Sequence, residues 1–469
     1  MNMDQKATAT LLELAAKSLL TNEPAAINAL EELPRDIFVT LFNVAFLGGH
    51  KKMLKSIVTL WPFHCLHIGT LFIEESYNEL LEAMVDGLQM RPAQKSPYWR
   101  TKLRILDLRQ DPDCETVCSD RTTYPFCFQS CIHSNHSILK IEETQHNSSC
   151  PGVADSESRP PVDWEPIEIL VDITFDGSLK EMKFISCLLS KVEHSFGSLH
   201  LCCRNLQIDN ISIHKNSLQF LDVGCIEHLE VNKIQLKEIT SFGDQMIHVD
   251  SLSLSNISFK TYKGRNFRTF LTWLRRLNNL QELNLSFVCI RDQMSRLLRF
   301  LPLQLDTLCL SFCDLSQRDI IVLSQSSKIS QIKLLNLSNN QIFWDVYEPF
   351  LTLLEKVSST LQHLELNNCL LTDSTLSAIF PSLSCCYHLR VLSFAFNPIT
   401  MPALMDFLQN LATMVDLKYV IYPVPVHCYE HWNINGNLDQ QKLAEVQAQL
   451  NVMLQAVHRE DMNWSACSE

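Results

Sequence analysis

The chain has 469 residues, 46% of them apolar, with a formal net charge of −13 and only 11 glycines. That length exceeds one ordinary compact core, and the apolar share is enough to fill a large one. The acidic balance opposes contact with a phosphate backbone, so direct nucleic-acid binding is not expected. So few glycines speak against doubly wound nucleotide folds, whose phosphate loops need them.

Taken in chain order, residues 1–95 read as a region of four short helices. The first, 8–20, carries a stripe of Leu11, Leu12, Ala15 and Leu19. The second, 34–47, has Pro34 in its first turn and stops at Gly48 and Gly49. The third spans 50–60, ahead of Pro62, and the fourth 71–88. Lys6, Glu13 and Lys17 interrupt any apolar run of signal-peptide length. No segment reaches the roughly 18 apolar residues of a membrane helix. The expected location is cytoplasmic, with the nucleus also open and no membrane contact. The 18 cysteines are then expected as reduced thiols, and sequons such as Asn147 and Asn210 as unused. The helices are expected to shield the open edge of a first strand.

That strand is LRILDL, with Leu103, Leu106 and Leu108. Residues 109–161 follow, rich in Ser, Asp, Thr and Pro and without apolar period, which predicts a disordered inserted loop. Cys114, Cys118, Cys127, Cys131, His133 and His136 lie in it. The paired cysteines stand one residue further apart than in common structural zinc sites, so neither a metal nor a cofactor is expected.

Downstream the pattern LxxLxLxxN/CxL recurs. Its copies are Leu280, Leu283, Leu285; Leu305, Leu308, Leu310, Cys313; Ile332, Leu335, Leu337, Asn340; Leu361, Leu364, Leu366, Cys369; and Leu389, Leu392, Phe394, Asn397. Weaker copies begin at Ile226 and Val249, and a partial one at Leu417. Positions four and six alternate as in a strand and point to one side. The ninth residue turns inward, where Asn or Cys hydrogen-bonds exposed backbone. That explains Cys313 and Cys369 without redox chemistry. In the stretch between strands, Asp373 or Ser374 is placed to cap a helix with the stripe Leu376, Ile379, Phe380 and Leu383. The expected fold is an α/β leucine-rich-repeat solenoid, a horseshoe of the ribonuclease-inhibitor type, over residues 96–425. A helix at 439–457 is expected to cap its end within 426–469. No nucleophile elbow, Walker loop or His-Glu-x-x-His occurs, so no catalytic residue is assigned and an enzyme is not expected.

The stretches LLELAAKSLLTNEPAAINALEELPRDIF, LFNVAFLGGHKKMLKSIVTLWPFHCLHIG, LRILDLRQD, LHLCCRNLQI and IYPVPVHCYE together resemble the PRAME family (preferentially expressed antigen in melanoma). The likeness spans the chain apart from 109–161 and is nearest in pattern to rodent oogenesin-type members, which implies germ line or early embryo. It also implies a substrate receptor of a cullin-RING ubiquitin ligase built on cullin-2 and elongins B and C. The family's elongin-binding BC box is matched by Thr10, Leu11, Ala15 and Leu19, and its cullin box by Leu33, Pro34, Ile37 and Leu41. An LxxxAxxxL stripe is equally the mark of a helix packed against its own chain, and the two uses compete. Nuclear-receptor motifs of LxxLL type are departed from: Tyr77, Ile185 and Phe350 stand where the leading leucine is required. The implied function is an adaptor holding an unidentified protein on the repeat surface for ubiquitination. The alternative is a non-ligase scaffold regulating transcription, differentiation, proliferation or apoptosis.

Overall fold

A computed structural model of the chain describes residues 10–68, 78–89, 102–109, 166–175, 179–195, 197–209, 221–233, 245–257, 265–343, 347–434, 436–456, 459 and 461–467. Apart from Arg109, the predicted insert with its Cys and His residues lies outside them. The chain forms two compact units, residues 1–204 with 215–222 and residues 205–214 with 223–469.

The first unit runs α1 (Leu11–Leu20), α2 (Glu23–Ala29), α3 (Ile37–Leu47), α4 (Lys51–Thr59), β1 (Cys65–His67), α5 (Asn78–Gln89), β2 (Ile105–Asp107), β3 (Ile167–Phe175), α6 (Leu179–Glu193) and the start of β4 (Leu199–Ile208). Thr10 starts α1 with a capping box: its hydroxyl accepts from the Glu13 N–H, and the Glu13 carboxylate accepts from the Thr10 N–H. Helix α3 is buried on most sides through Phe38, Leu41, Phe42, Ala45 and Phe46, with Trp61 set edge-on against Phe38 and Phe42. Helices α1 and α4 both pack on it. At Gly87, α5 approaches α4 so closely that a Cβ would lie 2.5 Å from the Lys55 carbonyl oxygen.

Three expectations change here. Pro34 precedes α3 rather than opening it, and its carbonyl accepts from the Ile37 N–H. The short α2, started by the Asn22 side chain, was not anticipated. Residues 1–95 are more than a helical cap, because β1 pairs in parallel with β2, His67 opposite Asp107. The connection between two parallel strands needs a crossover, and α5 supplies it. Phe63, Leu66 and Ile68 carry the repeat's first, fourth and sixth positions, a signal that sequence reading passed over.

The second unit continues from Asn205 of β4 through β5 (His228–Asn232), β6 (Ser251–Ser255), α7 (Arg265–Leu274), β7 (Glu282–Asn284), α8 (Met294–Leu298), β8 (Thr307–Cys309), α9 (Gln317–Gln325), β9 (Leu334–Asn336) and α10 (Glu348–Val357). It ends with β10 (His363–Glu365), α11 (Asp373–Ser384), β11 (Val391–Ser393), α12 (Met401–Leu411), β12 (Tyr419–Pro423), α13 (Gln440–Ala456) and β13 (Asn463–Cys467). The strands pair in parallel in chain order, and position four aligns throughout: Leu283 with Leu308, Leu335, Leu364, Leu392 and Val420. This is the leucine-rich-repeat fold. Every repeat-core residue named from the sequence is at most 1% exposed, Leu280 and Leu285 through Phe394 and Asn397.

Position nine holds neighbouring repeats together. Asn340 accepts with Oδ1 from the Cys313 and Leu315 N–H groups, and its Nδ2 donates to the carbonyls of Leu310, Leu337 and Ser338. Asn397 repeats the arrangement toward Cys369, Leu371, Leu366, Phe394 and Ala395. Cys313 and Cys369 donate their S–H to the Leu285 and Leu337 carbonyls. Burial pushes both thiols up to about 12, which leaves them inert as nucleophiles.

Two further expectations are corrected. Thr372, not Asp373 or Ser374, caps α11. The Asp373 carboxylate instead accepts from the N–H and hydroxyl of Thr400 in the next repeat. The C-terminal helix is also not the last element, since β13 follows α13 and pairs with β12. Position one of that final repeat is Asp461, so the apolar pattern fails there. Arg459 supplies the closure by donating to the carbonyls of Ala412, Met414, Val415 and Leu417.

Candidate protein-binding surfaces

In α1 two stripes lie one residue out of phase. Ala16 and Leu20, at 3% and 4% exposure, turn inward. Leu11 is 86% exposed, with Leu12, Leu14 and Ala15 also exposed and Leu19 half-buried. The packing of α1 therefore uses the i, i+4 pair beside the BC-box-like stripe and leaves Leu11 and Ala15 facing solvent. Contiguous exposed leucines on a well-capped helix have the character of an interaction surface.

The cullin-box-like residues divide. Pro34 is exposed, and Leu33 and Ile37 are half-buried. Leu41 is 0% exposed. It sits one turn further along α3, a helix enclosed on most sides, so Leu41 serves packing here rather than standing open to a partner. The leucine pairs Leu80–Leu81, Leu188–Leu189 and Leu353–Leu354 are likewise buried in α5, α6 and α10, so they too serve packing.

In the second unit the outward side of the strands is polar and cross-linked. Ser251 donates to Glu282 at 2.8 Å, Asn336 donates to Glu365 at 2.6 Å, and His363 Nε2 lies 2.9 Å from the same carboxylate. Lys333 pairs with Asp306 at 3.0 Å. Cys309 shares this side. Burial, then the negative charges of Glu365 and Glu282, pushes its thiol up to about 11, so it is no nucleophile. Such a surface offers a partner protein a fixed pattern of donors and acceptors.

Along one edge of the same repeats, position eight adopts the left-handed backbone region. Lys233, Asn256, Phe287, Phe312, Asn339, Asn368 and Phe396 have φ between 52° and 61°. Asn tolerates this conformation through local hydrogen bonding, and Asn368 donates to Asn339 at 3.0 Å. Phe has no such compensation. Phe287 and Phe312 are nevertheless 49% and 45% exposed, and their rings stack with centroids 4.4 Å apart at 12°. Strained backbone presenting aromatic surface to water marks a second candidate surface. Sequence reading missed it because position eight is unspecified in the repeat pattern, although Phe where neighbouring repeats carry Asn is a visible signal.

One buried polar cluster in the first unit also went unread. Asp107 accepts from Arg109 Nε and Nη2 at 3.0 and 2.9 Å and from the Arg109 N–H, and lies 3.0 Å from His67 Nδ1. Burial alone would raise this carboxyl. Hydrogen bonds from His67 and Arg109, and their charges, outweigh it and hold the carboxyl at about 2. The cluster ties β1 to β2.

Residues 8–115 match the family model for the PRAME N-terminal domain, and residues 167–466 match that for the PRAME C-terminal domain. Similar proteins include human PRAME family member 22, 31% identical across 97% of this chain and 93% of the relative. Mouse leucine-rich repeat-containing protein 14 is 29% identical across 97% of each chain. Among solved structures, an internalin of Listeria monocytogenes aligns over 64% of this chain and 86% of its own, at 14% identity and a TM-score of 0.30. No helix among the described residues is long and apolar enough to cross a membrane.

Proposed function

The chain belongs to the PRAME family, and from that premise we propose that it is a protein-binding adaptor that brings a target to a cullin-2 RING ubiquitin ligase. Family and repeat fold are typical of binding scaffolds rather than enzymes. In this reading elongin C takes the α1 stripe of Leu11, Ala15 and Leu19, and the cullin takes Leu33, Pro34 and Ile37. The repeat surface holds the target. The adaptor contributes no chemistry: it raises the local concentration of target beside ubiquitin carried by the other subunits. Cytoplasm and nucleus are the compartments in which it acts.

The observation that carries this reading is the phase of α1. Its own packing is satisfied by Ala16 and Leu20, so Leu11 and Ala15 are available to a partner without unfolding anything. The buried Leu41 favours a second reading, a regulatory scaffold without ligase coupling, because it leaves the cullin box one contact short. Affinity capture with purified elongin B–elongin C and cullin-2 separates them. Wild type is expected to recover both. Leu11→Asp is expected to lose elongin C by about tenfold or more while its thermal midpoint stays put, since an exposed position carries little stability. Wild type that recovers neither partner overturns the ligase reading and leaves the scaffold.

A further inference from the structure

Within a chain of net charge −13, residues 260–300 hold nine Lys and Arg against two acidic residues, Glu282 and Asp292, a local net of +7. The repeat strands take none of this charge except at Glu282. Of the described basic residues, Arg268 lies on α7 with Arg275 and Arg276 in the turn just after it, and Arg296 lies on α8 with Arg299 at its C-cap. Arg268, Arg275, Arg276 and Arg299 are exposed. Among the described residues no carboxylate forms an ion pair with Arg268, Arg275 or Arg299.

A groove of about 580 Å³ between α7 and α8 gathers three of these guanidinium groups, Arg268, Arg296 and Arg299, with Ser295 at its rim and Leu271 and Phe300 as apolar walls. Arg296 is held in advance. Its Nη1 donates to Gln293 Oε1 at 3.0 Å, and its guanidinium carbon stands 5.3 Å from the centre of the buried Phe267 ring. Fixing one cation before a ligand arrives lowers the entropy lost on binding. Bringing the Arg268 and Arg299 guanidinium groups to one groove costs free energy through like-charge repulsion that an anion would recover.

We infer that this groove binds a phosphorylated peptide segment of a partner protein. A phosphomonoester offers about two negative charges and three acceptor oxygens, which suits several guanidinium forks. The half-buried Phe300 provides apolar contact for a flanking peptide side chain. A long nucleic acid is disfavoured, because the basic patch is local and the rest of the chain repels a polyanion. The inference stands apart from ligase coupling, since neither elongin nor cullin takes part in it.

The test is fluorescence anisotropy of the full chain with three labelled probes. These are a peptide of about twelve residues bearing two phosphoserines, its unphosphorylated twin, and a single-stranded RNA of equal length. The expected result is binding of the phosphopeptide about tenfold or more tighter than of either other probe, weakening as salt is raised. Arg268→Glu with Arg299→Glu, both at exposed positions, is expected to abolish that preference with circular dichroism unchanged. The pair Arg268→Lys with Arg299→Lys keeps the charge and loses the forks, and is expected to fall between. Equal binding of both peptides, tighter binding of the RNA, or full phosphopeptide binding by the charge-reversed variant would each overturn the inference.

Discussion

Two regions meet the same demand by different chemistry. In the repeats between residues 280 and 423, position nine satisfies backbone groups buried between neighbouring turns with neutral side chains, Asn340 and Asn397 each serving five of them. In the first unit, β1 and β2 are tied by ions, with Asp107 held between His67 and Arg109. A neutral amide donates and accepts at once and does not titrate near neutral pH. A buried carboxylate only accepts, and one held between cationic partners makes the tie depend on pH. The comparison teaches that position nine, which recurs in every turn, favours the neutral solution, which can be copied from turn to turn without accumulating charge.

Asn397→Ala tests this most severely. It strands two N–H groups and removes a donor from three carbonyls, all buried, at about 1–3 kcal/mol for each group left without a partner. Partial relaxation brings the expected loss to about 4 kcal/mol, read by urea unfolding. Cys369→Ala, which removes one S–H donor, is expected to cost about 1 kcal/mol. Equal losses for the two would show that position nine needs only a compact residue and would remove the neutral side of the comparison.

The ionic side is sharpened by pH. The folded carboxyl of Asp107 sits at about 2, against an ordinary value of 3.8. Its contribution is therefore present above the ordinary value and lost as pH falls through the folded one. The shift corresponds to about 2 kcal/mol. Asp107→Asn is expected to lose roughly that amount at pH 7 and to flatten the acid limb of stability between about pH 4 and pH 2. Hydrogen exchange of the β1 and β2 amides at several pH values reads this locally. An acid limb unchanged in the variant would mean that the cluster does not set it.

What the sequence made legible follows the same divide. Positions one, four, six and nine of the repeats could be read because each turn repeats the same geometry, and Leu283, Leu308, Leu335, Leu364 and Leu392 duly share one register. Strand β13 could not, because Asp461 occupies position one and Arg459 closes the end by a route no period contains. In α1 the predicted helix is present. Its spacing points to a stripe of Leu11, Leu12, Ala15 and Leu19, and the packing turns Ala16 and Leu20, one residue further on, inward instead. For Leu41 the motif spacing pointed outward, while the all-round apolar character of α3 decided its burial.

The smallest expected effect concerns the aromatic edge. Phe312→Asn relieves a left-handed backbone strain of about 1–2 kcal/mol that Asn tolerates. It also gives up a stacked pair worth about 0.5–1.5 kcal/mol and some half-buried apolar area. The terms nearly cancel, so the thermal midpoint is expected to move by only a few degrees in either direction. If Phe312→Asn instead costs several kcal/mol, the stack is a structural clamp and the edge drops out as a binding surface. If stability holds, partner capture by the variant becomes the informative measurement, because folding no longer accounts for any loss.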